Sequence, residues 1–393
     1  NATIKQIIDF GDAPVFEAAA YASIIVLQNR RPPSTGETYV WTFPQNEKVE
    51  HFEHSFNEFG FTLHQGELTA EAWRLERPEM LELLQRLRVR GIPLRDYVGS
   101  RVYRGITTGL NKAFVVDTAT RNRLIREDKS SKDLLKPYLR GRDVTRWRTE
   151  QQDLWLIFTR RGVNIKDYPA ILDYLLQFRK ELMPGKIGGR KPGTYKWYEI
   201  QDNIAYWQEF EKLKIVSTKI SIRPTFMLDS NRLYLGNTSY FLPALSEGHY
   251  LLALLNSNLF HLYAKKVFVE KQNGWFEIQP EGLEAFPVPA ATNEQQTIIT
   301  KIVEYILFLK ANDTSESPEN FMSEYFETII NALVYELFLP EELHAAEKYF
   351  FDSLAGESLP SLSDYSGQEL SVIRNFFERL SARDHTIRRN LQF

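Results

Sequence analysis

The stretch RVYRGITTGLNKAFVV, Arg101–Val116, sets the reading of the middle of this chain. Two runs in which apolar and polar residues alternate, RVYRGI and KAFVV, enclose the small polar segment TTGLN. Alternation of period two marks strands, and a short polar segment with a glycine marks a turn, so the spacing predicts a β-hairpin. Basic residues stand on both sides of the turn, which suits a hairpin that touches something negatively charged. Working outward, DLWLIF, KLKIVST, PTFMLD, RLYLGN and SYFLPA are further strand candidates. Two stretches break this pattern with helical spacing. NIKDYPAILDYLLQFRKELM carries Ile165, Tyr168, Ile171, Leu172, Leu175 and Leu176, and EGHYLLALLNSNLFHLYAKKV carries Leu251, Leu254, Leu255, Leu259 and Leu262. Such stripes are core-facing. Strands interleaved with helices make this region mixed α/β (α+β).

Before it, residues 3–30 read as strand, irregular turn, strand, and the almost continuous apolar run YASIIVLQ has the character of a buried strand. RPPSTGE interrupts the chain with two prolines and a glycine. RPEMLELLQRLRVRGIPL reads as a helix with Leu81, Leu84 and Leu87 on its apolar face, stopped at Gly91 and Pro93. After FPVPAATNEQQ the pattern is helical throughout, with stripes Ile298/Ile302/Val303/Ile306, Phe321/Tyr325/Ile329/Leu333 and Leu370/Ile373/Phe376/Phe377/Leu380, and with ANDTSESPEN as a linker. The expected organisation is a terminal strand pair at 1–30, a connector at 31–95, a mixed α/β domain at 96–290 and a helical bundle at 291–393.

The 393 residues are too many for one small core, so two or three domains are expected. The chain has no cysteine, which excludes disulfides and thiolate metal sites. No apolar run approaches the roughly 18 residues of a membrane span, and no signal peptide is visible, so a cytoplasmic location and no membrane partner are expected. The chain begins at Asn1 rather than Met and reads as a piece of a longer protein. Its formal charge of -3 hides an asymmetry. Residues 100–148 hold 13 Lys and Arg against 5 Asp and Glu, whereas residues 291–393 hold 8 against 17. Basic density of the first kind suits a polyanion partner, and it equally suits a solvated surface paired with the acidic end.

Signatures of catalysis do not occur: there is no GxxxxGK[ST] loop, no GxSxG and no GxGxxG. EHFEH places Glu50, His51, Glu53 and His54 together but lacks HExxH spacing and a third ligand, so a solvated turn explains it better than a metal. GKIGGRKPG, residues 185–193, suits a phosphate-wrapping loop and equally a mobile surface loop with no ligand. Glu199, Glu209 and Glu211 have no fixed spacing that would make an acid/base pair.

Six phrases occur in one order: GITTGLNKAFVVD, LLKPYLRGRDVTRW, YKWYEI, FEKLKIVSTKISIRPTFMLD, YLLALLNSNLFHLY and FEIQPEGLEAFPVP. In that order they resemble the TaqI-like C-terminal specificity domain, which follows the catalytic domain in adenine-N6 DNA methyltransferases and fused restriction-modification enzymes. IDFGDAPVFEAAAYASIIVLQN resembles the last strand pair of the methyltransferase domain, where an aromatic packs on the flipped adenine; Phe16 holds that position here, with core packing as the other reading. FPVPAATNEQQTIITKIVEYI resembles the exit and following helix of type I specificity subunits. The family's cofactor-binding glycine motif, its Asn/Asp-Pro-Pro-Tyr/Phe motif and a PD-(D/E)xK nuclease core are absent from these residues.

The resemblance implies a double-stranded DNA partner and an upstream methyltransferase domain of the same protein. It implies no cofactor in this segment, with S-adenosylmethionine in the parent, and no catalysis by this segment alone. The implied DNA-binding residues are Arg101, Arg104, Thr107, Thr108, Asn111 and Lys112 of the hairpin; Lys136, Arg140, Arg142 and Arg146 of KPYLRGRDVTRW; and Lys219 and Arg223 of KISIRP. Lys186, Arg190 and Lys191 of the basic loop are expected to line the same cleft. Arg104 and Asn111 suit base edges, since Arg pairs with guanine and Asn with adenine in a fork. Arg140 and Arg142 suit phosphates or bases, and Tyr138 and Trp147 suit the core. A protein-interaction or assembly subunit of a restriction-modification or phage-defence complex is the alternative.

Overall fold

A computed structural model describes residues 2–392 other than 12, 18–20, 34–35, 45–47, 69–72, 150–152, 245–247 and 313–317. The middle of the linker ANDTSESPEN thus lies outside the described residues. The chain divides into two units, Asn1–Val89 with Lys271–Gly274, and Arg90–Glu270 with Trp275–Phe393. The fold is mixed α/β, as the alternating strand and helix signals imply.

In the first unit, β1 (Thr3–Asp9), β2 (Ser23–Gln28), β3 (Glu37–Thr42) and β4 (Phe61–His64) form one sheet in the order β2-β1-β3-β4. β1 is antiparallel to β2 and parallel to β3. Successive side chains leave a strand on opposite sides, so β1 feeds two clusters. Ile4 and Ile7 pack with Val40 and Leu63, while Ile8 and Phe10 pack with Trp41. Phe52 and Phe56 of α1 (Phe52–Phe59) join the second cluster, and the Trp41 indole N–H donates to Ser55 Oγ at 3.2 Å. β2 corrects an expectation: this strand is exposed along its whole length, Ile24, Ile25, Val26 and Leu27 being 40–59% exposed. It is an edge strand, and apolar composition does not by itself say which strands are covered. The expected division at residue 30 falls inside this sheet. α2 (Pro78–Arg90) spans the predicted helix and stops at Gly91.

The second unit starts with β5 (Gly91–Pro93), α3 (Leu94–Val98), β6 (Tyr103–Arg104), α4 (Asn111–Phe114), β7 (Val115–Asp117) and α5 (Thr118–Glu127). There follow β8 (Leu135–Leu139), β9 (Leu154–Ile157), α6 (Pro169–Leu176) and α7 (Arg179–Leu182). Next come β10 (Lys214–Thr218), β11 (Ile220–Ser221), β12 (Phe226–Asp229), β13 (Tyr234–Leu235) and β14 (Ser239–Pro243). Then come α8 (Gly248–Leu255), α9 (Asn258–Val267), β15 (Val269–Glu270), β16 (Phe276–Glu277), α10 (Pro280–Glu284) and β17 (Pro287–Pro289). Two sheets carry the middle of the chain, ordered β12-β10-β14-β6 and β13-β8-β9-β7. Their facing residues share one core, with Phe114, Leu139, Leu156, Phe210, Val216, Tyr234 and Phe241 all buried in it. Phe210 stacks on Tyr234 with ring centroids 5.0 Å apart and meets Phe241 at 4.5 Å. Burying each such ring is worth about 2–3 kcal/mol before the entropy of ordering it.

The predicted hairpin at 101–116 does not form. β6 pairs with β14 in one sheet, and β7 pairs with β9 in the other. Between them the chain makes a helical turn, α4, entered through a side-chain turn: Leu110 N–H donates to Thr108 Oγ1 at 3.2 Å, and Thr108 Oγ1 donates to Asn111 Oδ1 at 2.7 Å. Gly109 sits at φ 81°, a left-handed conformation glycine takes without strain. The segment therefore bridges two sheets instead of folding back on itself.

The second predicted helix of the region is two helices. α8 ends before Asn256, and Ser257 caps α9 by accepting Phe260 N–H at 3.1 Å. Asn256 clamps the backbone of Phe226 from both sides, accepting its N–H at 3.1 Å and donating to its carbonyl at 2.9 Å. The acidic end comprises α11 (Asn293–Ala311), α12 (Pro318–Phe338), α13 (Pro340–Ala345), α14 (Phe350–Ala355), α15 (Glu369–Leu380) and α16 (Thr386–Leu391). A Thr292/Gln295 capping box starts α11. α11 packs on α8 and α12, so the helices continue the same unit across residue 290.

Candidate nucleic-acid interface

β6 lies at the edge of its sheet, with Arg104 opposite Tyr240 of β14. Just beyond it the backbone crosses the β13–β14 turn. A Cβ on Gly105 would stand 2.0 Å from the carbonyl oxygen of Gly236, and one on Gly141 would stand 2.3 Å from Thr238 Oγ1. Only glycine permits so close an approach. Lys219 N–H donates to the Thr238 carbonyl at 2.8 Å, which ties a fourth segment to the same turn. Four separate stretches thus meet at residues 236–238, and Arg104, Arg140 and Lys219 flank the junction.

These cations are held to different degrees. Arg104 is exposed. Its carbonyl accepts the Tyr206 hydroxyl at 2.8 Å, and burial pushes that phenol's pKa up. Arg101 is exposed and lies 5.2 Å from the Tyr103 ring centre, a cation–π spacing. Arg140 forms a fork with Asp143, Nε at 2.6 Å and Nη2 at 3.0 Å. That hydrogen bond raises its pKa and fixes its direction while leaving it partly exposed. Arg142 is exposed and has no partner among the described residues. Lys219 pairs with Glu277 at 2.8 Å, a contact that raises its pKa against the lesser influence of Arg104 nearby.

Other predicted contacts take other roles. Thr107 donates its N–H to Asp202 at 2.9 Å, and Thr108 is buried. Asn111 is exposed but spends its carbonyl oxygen on Thr108. Lys112 pairs with Glu181 at 2.5 Å, and Lys136 with Glu211 at 3.4 Å over the Tyr234 ring. Arg146 is mostly buried, its guanidinium bonded to Glu327 and to the carbonyl of Asn256, so it does not belong to the outer cationic surface. Arg223 is exposed and lines a cavity with Arg146 rather than the junction. Phe16, in the first unit, is 62% exposed rather than packed in the core. Tyr138 and Trp147 are core residues as expected.

Arg190 is the sharpest correction. Lys186 and Lys191 of its loop are exposed, but Arg190 is 5% exposed and donates to five backbone carbonyls. Nε reaches Leu182 at 3.0 Å; Nη1 reaches Thr108 at 3.0 Å and Glu199 at 2.7 Å; Nη2 reaches Lys196 at 3.3 Å and Trp197 at 2.9 Å. It pins the 107–111 turn to the segment 195–202. Burial pulls its pKa down to about 10, which leaves it charged at neutral pH.

The carboxylates are structural too: Glu199 accepts Lys196 N–H at 2.8 Å, Glu209 pairs with Lys212 at 2.7 Å, and Glu211 accepts the Tyr234 hydroxyl at 2.7 Å. His54 of EHFEH pairs with Glu58 at 2.8 Å. Among the described residues no helix is long and apolar enough to cross a membrane. Sequence reasoning missed Thr238, although GNT after the apolar run RLYL is a turn signal that would have placed it beside Arg104.

Residues 136–288 match a protein family described as the TaqI-like C-terminal specificity domain. The resemblance read from the six phrases stands over that stretch, which includes Arg140, Arg142 and Lys219. No curated protein matches the chain. Among solved structures, the chain is similar over 100% of its length to 46% of a Type IIL restriction-modification enzyme, MmeI, solved in complex with DNA, at 13% identity and a TM-score of 0.48. It spans about half the length of that protein.

Proposed function

We propose that this chain recognises double-stranded DNA as the specificity region of a restriction-modification enzyme, and that it reads sequence for an adenine-N6 methyltransferase or a fused enzyme of that kind. The observation that carries this is the junction at 236–238, flanked by Arg104 and by Arg140 and Lys219, the last two within the stretch similar to a known specificity domain. Phosphate contacts position a protein on the duplex, and base-edge contacts discriminate. In this reading Arg101 and Lys219 neutralise phosphates. Arg104 and Arg142, exposed and with no carboxylate partner among the described residues, reach base edges, and Arg140 is aimed by Asp143. The parent protein supplies methyl transfer from S-adenosylmethionine through its upstream methyltransferase domain, and Phe16 packs on the extruded base there. The protein acts in the cytoplasm, where its DNA is.

The test is fluorescence anisotropy with a duplex of about 30 base pairs over a salt series. Each phosphate neutralised contributes about -0.9 to the slope of log K against log salt. The R101Q/K219Q variant should bind more weakly with a slope shallower by about 2, and R104Q should flatten the preference among sequences selected from a random pool. A salt-independent affinity, or wild-type slopes in R101Q/K219Q, would remove the support for this reading.

A further inference from the structure

The loop after β8 continues into Arg146, Trp147 and Arg148, which line a cavity of about 560 Å³ with Arg223, Lys310, Glu324 and Glu327. Three features of this cavity are unaccounted for by the fold alone. Its cations outnumber its carboxylates. Glu327 is shared between Arg146 and Lys310, the latter at 3.6 Å, whereas Arg148 and Arg223 are exposed with no anionic partner among the described residues. Next, Trp147 is 1% exposed, yet neither its indole N–H nor Arg146 Nε has an acceptor among the described residues. A buried donor left unmade costs about 1–3 kcal/mol. Finally, Trp147 holds φ at 75°, a left-handed conformation costly for a residue with a bulky side chain. Its N–H is fixed on the Phe226 carbonyl at 2.7 Å, so the loop is locked in the arrangement that lines the cavity.

Electrostatics agree with the geometry. Arg146 is pulled down to about 9, first by burial and then by Arg223. His261 is lowered by burial, then by Lys265, with smaller effects of Arg223 and Arg146. Positive charge there is short of compensation.

The geometry points to a phosphate-oxyanion site in this cavity, with the exposed Arg148 and Arg223 as its charged arms. It lies where the recognition region meets α9, α11 and α12. Under the DNA reading the phosphate is a backbone phosphodiester of the bound duplex, and the helical end then takes part in gripping DNA despite its acidic composition. Only that assignment of source rests on the DNA reading.

The test compares the chain with its R148Q/R223Q variant, which removes two exposed cations that hold no partner among the described residues. Inorganic phosphate should raise the melting temperature of the wild type above that in chloride of equal ionic strength, and the variant, melting like the wild type in chloride, should lose the rise. With a 30-base-pair duplex the variant's salt slope should be shallower by about 1–2. A phosphate response with an unchanged duplex slope assigns the site to a free phosphate and supports the cavity's chemistry. No phosphate response in the wild type together with an unchanged slope overturns the proposal. The phosphate arm needs no DNA, so failure of duplex binding would leave it readable.

Discussion

Replacing Arg190 by lysine is expected to loosen the 107–111 turn and the 182–202 segment together while the rest of the unit stays folded. The guanidinium meets five carbonyl oxygens from five residues. An ammonium offers at most three donors from a single point and cannot span that fan. The Thr108 and Lys196 carbonyls also accept backbone N–H groups, so the carbonyls of Leu182, Trp197 and Glu199 are the acceptors at risk, at about 1–3 kcal/mol for each left bare. The cation–π contact with Tyr195, whose ring centre lies 4.5 Å from the guanidinium carbon, weakens as well. A net loss of about 3 kcal/mol is the central expectation, equivalent to roughly 100-fold faster amide exchange where opening is local. Hydrogen–deuterium exchange by mass spectrometry reads it directly. Peptides over 105–112 and 182–202 should lose protection, and peptides over α15 should keep it. Exchange in the two segments within threefold of wild type would show that the five contacts are not a clamp, and the reasoning would fail.

Lys214 and Asp229 are fully buried cross-strand partners in β10 and β12, with Nζ and Oδ2 2.5 Å apart. K214M strands a buried carboxylate and should cost about 3–5 kcal/mol, seen as a lower urea midpoint, with K214M/D229L recovering much of it. G105A drives a methyl against the Gly236 carbonyl and should reduce duplex affinity at least tenfold with native-like circular dichroism in the helical end; unchanged affinity would detach the junction from binding. The folded-state pKa of His261 lies below 6.5, burial being the main cause. The unfolded chain therefore takes up that proton first as pH falls through 6.5, and the group withdraws stability on acidification. NMR titration of His261 in R223Q should show its pKa moving up toward 6.5, since one repelling charge is gone.

How legible was this molecule in its residues? β9, β10, β12 and β14 were, because buried strands leave short apolar runs bounded by polar breaks. α5 was not, since TATRNRLIRE buries only Leu124 and shows no stripe; the Asp117 cap, which accepts Thr120 N–H, was its one local signal. The hairpin misreading has a different origin. Alternation tells that Tyr103–Arg104 and Val115–Asp117 are strands but carries no information on partners, and both partners, β14 and β9, are distant in sequence. Arg190 looked like a loop cation because its five acceptors are main-chain atoms, which leave no mark on composition. Of the expected contact set, Arg104, Arg140 and Lys219 come together through glycines 105, 141 and 236, whose closeness depends on tertiary packing alone.

That glycine crossing has an evolutionary corollary. Gly105 meets the Gly236 carbonyl and Gly141 meets Thr238 with no room for a side chain of their own, so the frame is set by these glycines rather than by the exposed side chains of Arg104 and Arg142. Under the proposed function, a new target preference is then most accessible by substitution at 104 and 142 while the glycines stay fixed.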